Sequence, residues 1–228
     1  MKPDVKNLPI YTRKEELINS ITHLVGFVFS LWILIFFIIF SSTKNLEFKF
    51  MIPYFVYALS MMVVFAVSTI YHSSKQGTKG RAILRVIDHT DIYFLVFGTY
   101  FPLCMYAIGN QTFAMIVLIL EIIFMISGMV LNLIPYDSLI LEVIAYIIYI
   151  IDGWLIIFFY PFGIGMDFNV FLFILIGGII YSLGAITYAV GKKRKYFHSL
   201  FHVFVVLGAI TQFFGIAILL IKWFFNWI

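Results

Sequence analysis

Apolar residues fall into seven long runs separated by short polar stretches, near 17–40, 51–71, 86–108, 113–134, 138–160, 169–190 and 199–221. A run of about 20 apolar residues spans the roughly 30 Å hydrocarbon layer at about 1.5 Å per residue. The pattern therefore predicts an all-α integral membrane protein, a seven-transmembrane helix bundle forming one domain over residues 1–228. The joining stretches leave no room for a second folded unit. Ahead of the first run, Pro3 and Pro9 keep the chain from being helical, and Thr12-Arg-Lys-Glu15 fits a capping box at a helix start. That first run is too long for a signal-peptide core and has no small-residue cleavage pattern after it, so it is expected to act as an uncleaved anchor.

Composition agrees: 63% hydrophobic residues, 11% charged residues and a mean hydropathy of +1.06 describe a chain dissolved in lipid rather than folded around a water-bounded core. No internal repeat or low-complexity linker interrupts it. A single cysteine, Cys104, lies inside the third run, which excludes an intrachain disulfide and points to packing. The fifteen basic residues set the orientation. With the N-terminus inside, Lys2, Lys6, Arg13, Lys14, Lys75, Lys79, Arg81, Arg85, Lys192, Lys193, Arg194 and Lys195 are cytoplasmic, against only Lys44, Lys49 and Lys222 outside. The positive-inside rule then predicts a cytoplasmic N-terminus and an outer C-terminus in a multi-pass protein of the plasma membrane, a bacterial inner or cell membrane. These loop charges account for the pI of 9.0 through membrane lipid headgroups, the expected partners. No segment resembles a nucleic-acid module.

Against this apolar background the ionisable residues stand out, because a charge at the bilayer centre costs about 2.5 to 3.5 kcal/mol. His72 ends the second span, Asp88 begins the third, and His198 and His202 begin the seventh, so the assigned topology brings all four to the cytoplasmic side. His198 and His202 are four residues apart on one helical face, as are Ser68 and His72. Three neutral imidazoles with a carboxylate nearby suit a zinc ion that keeps one tetrahedral position open, the pattern of catalytic rather than structural zinc. Taken alone, the HxxxH pair fits an interfacial lipid contact equally well. His89 points about 100° away from Asp88 around the helix and is expected to be a packing residue.

The residues that carry this chemistry resemble the hemolysin III family and the wider progestin and adipoQ receptor superfamily, to which alkaline ceramidases are more distantly similar. The resemblance covers Glu16-Leu-Ile-Asn19-Ser-Ile-Thr22-His23-Leu-Val-Gly26, Ser68-Thr-Ile-Tyr-His72, Asp88-His-Thr-Asp-Ile-Tyr, Gly98-Thr-Tyr-Phe-Pro102, His198-Ser-Leu-Phe-His202 and Gln212-Phe-Phe-Gly215. It implies seven helices, a zinc bound by His72, His198 and His202, and Asp88 and Ser68 as polar groups at the metal. Where the family commonly has Thr before the third-span proline, this chain has Phe101.

Glu16, Asn19, His23 and Gly26 share one helical stripe, read either as a headgroup or ligand-supporting wall beside the metal or as interhelical hydrogen bonding next to a close-packing glycine. Glu121, Glu142 and Asp152 imply buried pairing or a proton path, with structural hydrogen bonding as the simpler reading. Three functions follow from these features: a zinc-dependent hydrolase of a membrane-lipid amide or ester, a noncatalytic regulator or receptor-like protein with structural zinc, and a pore-forming cytolytic protein. A pore needs a polar stripe along several helices, whereas here the polar groups gather at one end.

Overall fold

The computed structural model describes residues 8–133, 139–159, 165–191 and 194–227. Lys2, Pro3, Lys6, Lys192 and Lys193 lie outside the described residues, as does the side chain of Glu142. Every element among the described residues is helical: α1 Arg13–Thr43, α2 Phe48–Ser73, α3 Lys79–Thr90, α4 Ile92–Tyr106, α5 Gln111–Leu133, α6 Leu139–Phe159, α7 Phe168–Gly191 and α8 Phe197–Trp227. Helices α1, α2, α5, α7 and α8 are each long and apolar enough to cross a membrane. With α6 and the α3–α4 pair, they make seven crossings, and the chain is a multi-pass membrane protein.

Local chemistry sets the helix ends. The capping box at Thr12 is formed: the Glu15 amide donates to the Thr12 hydroxyl at 3.3 Å, and the Thr12 amide donates to Glu15 Oε2 at 2.9 Å. The α2–α3 connection turns at Gly77, whose φ of +72° suits a residue without a Cβ. Thr78 then caps α3 by accepting from the Arg81 amide at 3.2 Å. At the opposite end of the bundle Asp167 caps α7, accepting from the amides of Asn169 and Val170 at 3.0 and 3.3 Å, and pairs with Lys222 of α8. The Lys222 ammonium lowers the Asp167 carboxyl below its ordinary range.

The third crossing departs from the sequence expectation of one continuous helix. It is built from α3 and α4, which meet at Asp91. Asp91 closes α3 through its amide to the Ile87 carbonyl and opens α4 without a side-chain cap, so its buried carboxylate has no hydrogen-bond partner among the described residues. The joint falls just beyond Asp88, which places that carboxylate in the last turn of the short helix α3. Such breaks in a membrane helix occur where the backbone is enclosed by protein.

Helix α2 packs against α1, α3 and α4, and α8 packs against α1, α4 and α7, with the α7–α8 contact the most extensive. The buried stripe of α1 runs Glu16, Asn19, His23, Gly26, Ser30, Ile33 and Phe37, polar at its start and apolar beyond. At Gly26 a Cβ would stand 2.7 Å from the Phe65 ring, so glycine permits the close α1–α2 approach. Past that point the core is aromatic and aliphatic, with Phe37, Tyr54, Phe65, Leu103 and Phe213 in one cluster.

The starts of α1, α3 and α8 and the end of α2 lie together, as the site contacts below require, so the sidedness of the bundle follows from the basic residues at that end. A reporter fused after Ile228 is expected outside the cell and one in the 191–196 connection inside. Finding both on one side would remove the N-in, C-out assignment.

Candidate metal centre

Two backbone devices bring α8 to the polar end of α1. The Tyr196 amide donates to Glu15 Oε1 at 2.8 Å. Tyr196 itself turns the chain into α8 with a φ of +65°, an uncommon backbone for a non-glycine residue. One turn further on, Ser199 donates to Asn19 Oδ1 at 2.5 Å, locking α8 to α1 at the depth of the histidines.

His72, His198 and His202 then converge. Nε2 of His198 lies 3.3 Å from Nε2 of His72 and 3.0 Å from Nε2 of His202, and one ligand atom from each of the three residues falls within 4.8 Å of the others. Two nitrogens about 2.05 Å from one tetrahedral ion stand about 3.3 Å apart, so the spacing fits a first-row divalent metal. His72 and His202 are 3% and 1% exposed. On the opposite edge of the ring, His72 Nδ1 donates to Glu16 Oε2 at 2.7 Å, and Asn19 Nδ2 lies 3.4 Å from the same nitrogen. With its proton on Nδ1, His72 presents a lone pair at Nε2. Nδ1 of His198 and of His202 has no hydrogen-bond partner among the described residues. The nitrogens that face one another across the group are the three Nε2 atoms, and a cation between them would accept their lone pairs.

Other side chains close the site. His23 lies against His202 with ring centroids 3.8 Å apart and planes tilted by 42°, and meets Phe65 edge-on at 5.2 Å; neither of its nitrogens has a partner among the described residues. Tyr11, ahead of α1, lies parallel to His198 at 4.8 Å, and its carbonyl accepts from Gln76 Nε2 at 2.8 Å. Burial raises the Tyr11 hydroxyl far above its ordinary range, so it stays neutral. Asp88 lies within electrostatic reach of His72 and beside Ser68, and its Oδ2 stands 3.5 Å from His89 Nδ1. His89 turns Nε2 to the Tyr188 hydroxyl at 3.2 Å and stands apart from the three-histidine group.

Glu16, Asn19 and His23 of the first span, Ser68 of the second and Asp88 of the third thus lie at or beside the His72, His198 and His202 cluster, whereas His89 does not join it. The carboxylate bonded to a cluster imidazole is that of Glu16, while Asp88 faces Ser68 and His89. Four contributors were not singled out from the sequence: Tyr11, Gln76, Arg81 and Ser199. Arg81 was counted only as an inner charge, yet it is 1% exposed. Its clue was the spacing of Ala82, Val86 and Thr90, which with Arg81 form the buried face of α3. Away from the cluster, Glu121 and Asp152 are fully buried neighbours between α5 and α6, and none of their oxygens meets a basic side chain among the described residues.

Residues 11–213 match a protein family described as haemolysin-III related. A protein of Bacillus subtilis (strain 168) named hemolysin-3 homolog is 31% identical over 215 residues, 93% of this chain and 98% of its own length. Hemolysin-3 of Bacillus cereus is 32% identical over 203 residues, 88% of this chain and 90% of its own.

Proposed function

The chain belongs to the haemolysin-III related family, and from that premise we propose that it is a zinc-dependent hydrolase of an amide or ester bond in a membrane lipid. One observation carries the reading: three histidine nitrogens converge without a fourth protein ligand among the described residues, beside a carboxylate that lies outside the triangle. Zinc held by His72, His198 and His202 would supply Lewis acidity, polarising a carbonyl and bringing a water's pKa toward about 7. The protein's own groups supply the rest. Glu16 orients His72 through Nδ1. The Asp88 carboxylate is the group suited to accept a proton from an attacking water, with the Ser68 hydroxyl beside it to orient a substrate carbonyl. His23 offers a hydrogen bond to a polar headgroup, since its buried nitrogens have no partner among the described residues. The basic residues at the same end attract anionic headgroups.

The test is to incubate purified protein with native membrane lipid extract and follow free fatty acid by mass spectrometry, before and after stripping with a chelator. Product is expected from the zinc-loaded protein, none from the stripped protein, and recovery on adding zinc. The regulator reading has its own support, because all three histidines come from α2 and α8, so a metal would clamp those two helices. It predicts that stripping lowers the melting temperature and that product never forms.

A further inference from the structure

Arg81 is a fully buried cation in a position that a transmembrane bundle rarely tolerates. Its Nη1 donates to the carbonyls of Tyr71 and Ser74 at 2.9 and 2.8 Å, its guanidinium lies 4.6 Å over the Tyr71 ring, and its Nη2 pairs with Glu16 Oε1. Gln76 Nε2 adds a bond to the same Oε1 at 3.0 Å. The other oxygen, Oε2, accepts from His72 Nδ1. Both ends of the carboxylate are therefore committed, one to the guanidinium and one to the imidazole. The two carbonyls that Arg81 grips belong to the last turn and cap of α2, the turn that carries His72. The chain runs from α3 through α1 to α2.

We propose that Arg81 is a positioning residue for the metal site, acting through Glu16 to hold the His72 proton on Nδ1 and so keep Nε2 free for the metal. This rests on the metal reading above and extends it, since it names the group that prepares the ligand. A ring nitrogen bonded to a carboxylate is the general means by which proteins fix the tautomer and direction of a metal-binding histidine. His72 is the one member of the triangle that has such a partner among the described residues. Arginine suits the role better than lysine because its planar fork reaches two carbonyls and a carboxylate at once, whereas an ammonium is a compact point charge on a flexible stem.

The experiment uses full-length protein in nanodiscs and measures zinc affinity by chelator competition, together with the ring-nitrogen NMR spectrum of ¹⁵N-labelled histidine in metal-free protein. Arg81→Gln and Glu16→Gln are each expected to weaken zinc binding about 10- to 100-fold and to shift the His72 signals away from the Nδ1-protonated form. Arg81→Lys is expected to fall between wild type and Arg81→Gln. Because Arg81 acts through Glu16, adding Arg81→Gln to Glu16→Gln is expected to cause little further loss. Additive losses in the double variant, or a lower melting temperature with affinity and tautomer unchanged, would overturn the proposal. If Arg81→Gln fails to fold, Glu16→Gln decides through the His72 spectrum, where an unaltered Nδ1-protonated signal refutes the chain of contacts. A wild-type protein that binds no zinc, with His72 protonated on Nδ1 as described, separates failure of the metal reading from failure of this one.

Discussion

Purified His198→Ala/His202→Ala protein is expected to contain no zinc where the wild type holds about one ion per chain, since an open tetrahedral site rests on three protein ligands. The reason is geometric: the double change leaves only His72 of the three nitrogens that meet within 4.8 Å. His23 lies against His202, its ring tilted 42° to that imidazole, and is not one of the three residues whose ligand atoms converge, so it is not expected to replace the lost ligands. His89→Ala is the control and is expected to retain full zinc, because that ring is engaged with Tyr188 and Asp88 outside the cluster. Elemental analysis against protein concentration reads the result. Full occupancy in the double variant would remove the assignment of all three ligands.

The second large effect separates chemistry from scaffold. Asp88→Asn is expected to keep zinc and fold but lower hydrolysis about 10²- to 10⁴-fold, the range supplied by a positioned acid or base. The amide preserves the shape of the carboxylate and its place beside Ser68, and removes only the capacity to take a proton. Glu16→Gln is the informative comparison, because that carboxylate touches His72 directly and its loss should appear in metal affinity. Two carboxylates at one centre thus have distinguishable signatures, rate for Asp88 and affinity for Glu16. Equal product release by wild type and Asp88→Asn would refute the base role. A lower melting temperature or zinc affinity in Asp88→Asn, with no lipid product from either protein, would favour the structural reading.

Hydropathy was enough to place the seven crossings, because each buried run is long and its neighbours are polar. The same averaging concealed the joint at Asp91. A window of about twenty residues smooths over one position where the amide still bonds Ile87 while the side chain has no cap to make. The three histidines were legible because helical spacing and alternating span direction carry them to one end. What the sequence could not show was pairing across large separations. Glu16 and His72 are 56 residues apart, and Glu16 and Arg81 are 65 apart. Counting charges assigns any arginine near a span end to the loop, and only the packed bundle reveals that Arg81 faces inward. Glu121 and Asp152 illustrate the same limit from the other side: both were conspicuous as acids in apolar runs, but their adjacency depends on how α5 and α6 face each other.

The order in which the ribosome delivers these residues also matters. Glu16, His72 and Arg81 have all been made within the first turn of the third crossing, whereas His198 follows His72 by 126 residues. At about 5–20 residues per second that interval is roughly 6–25 s. His72 and the carboxylate it bonds are therefore made well before His198 and His202, with four further crossings between them. On the metal reading proposed above, an ion would be held by all three histidines only once the last helix has been made. A chain stalled before Phe197 would hold Glu16 and Arg81 but lack two of the three histidines whose nitrogens meet within 4.8 Å.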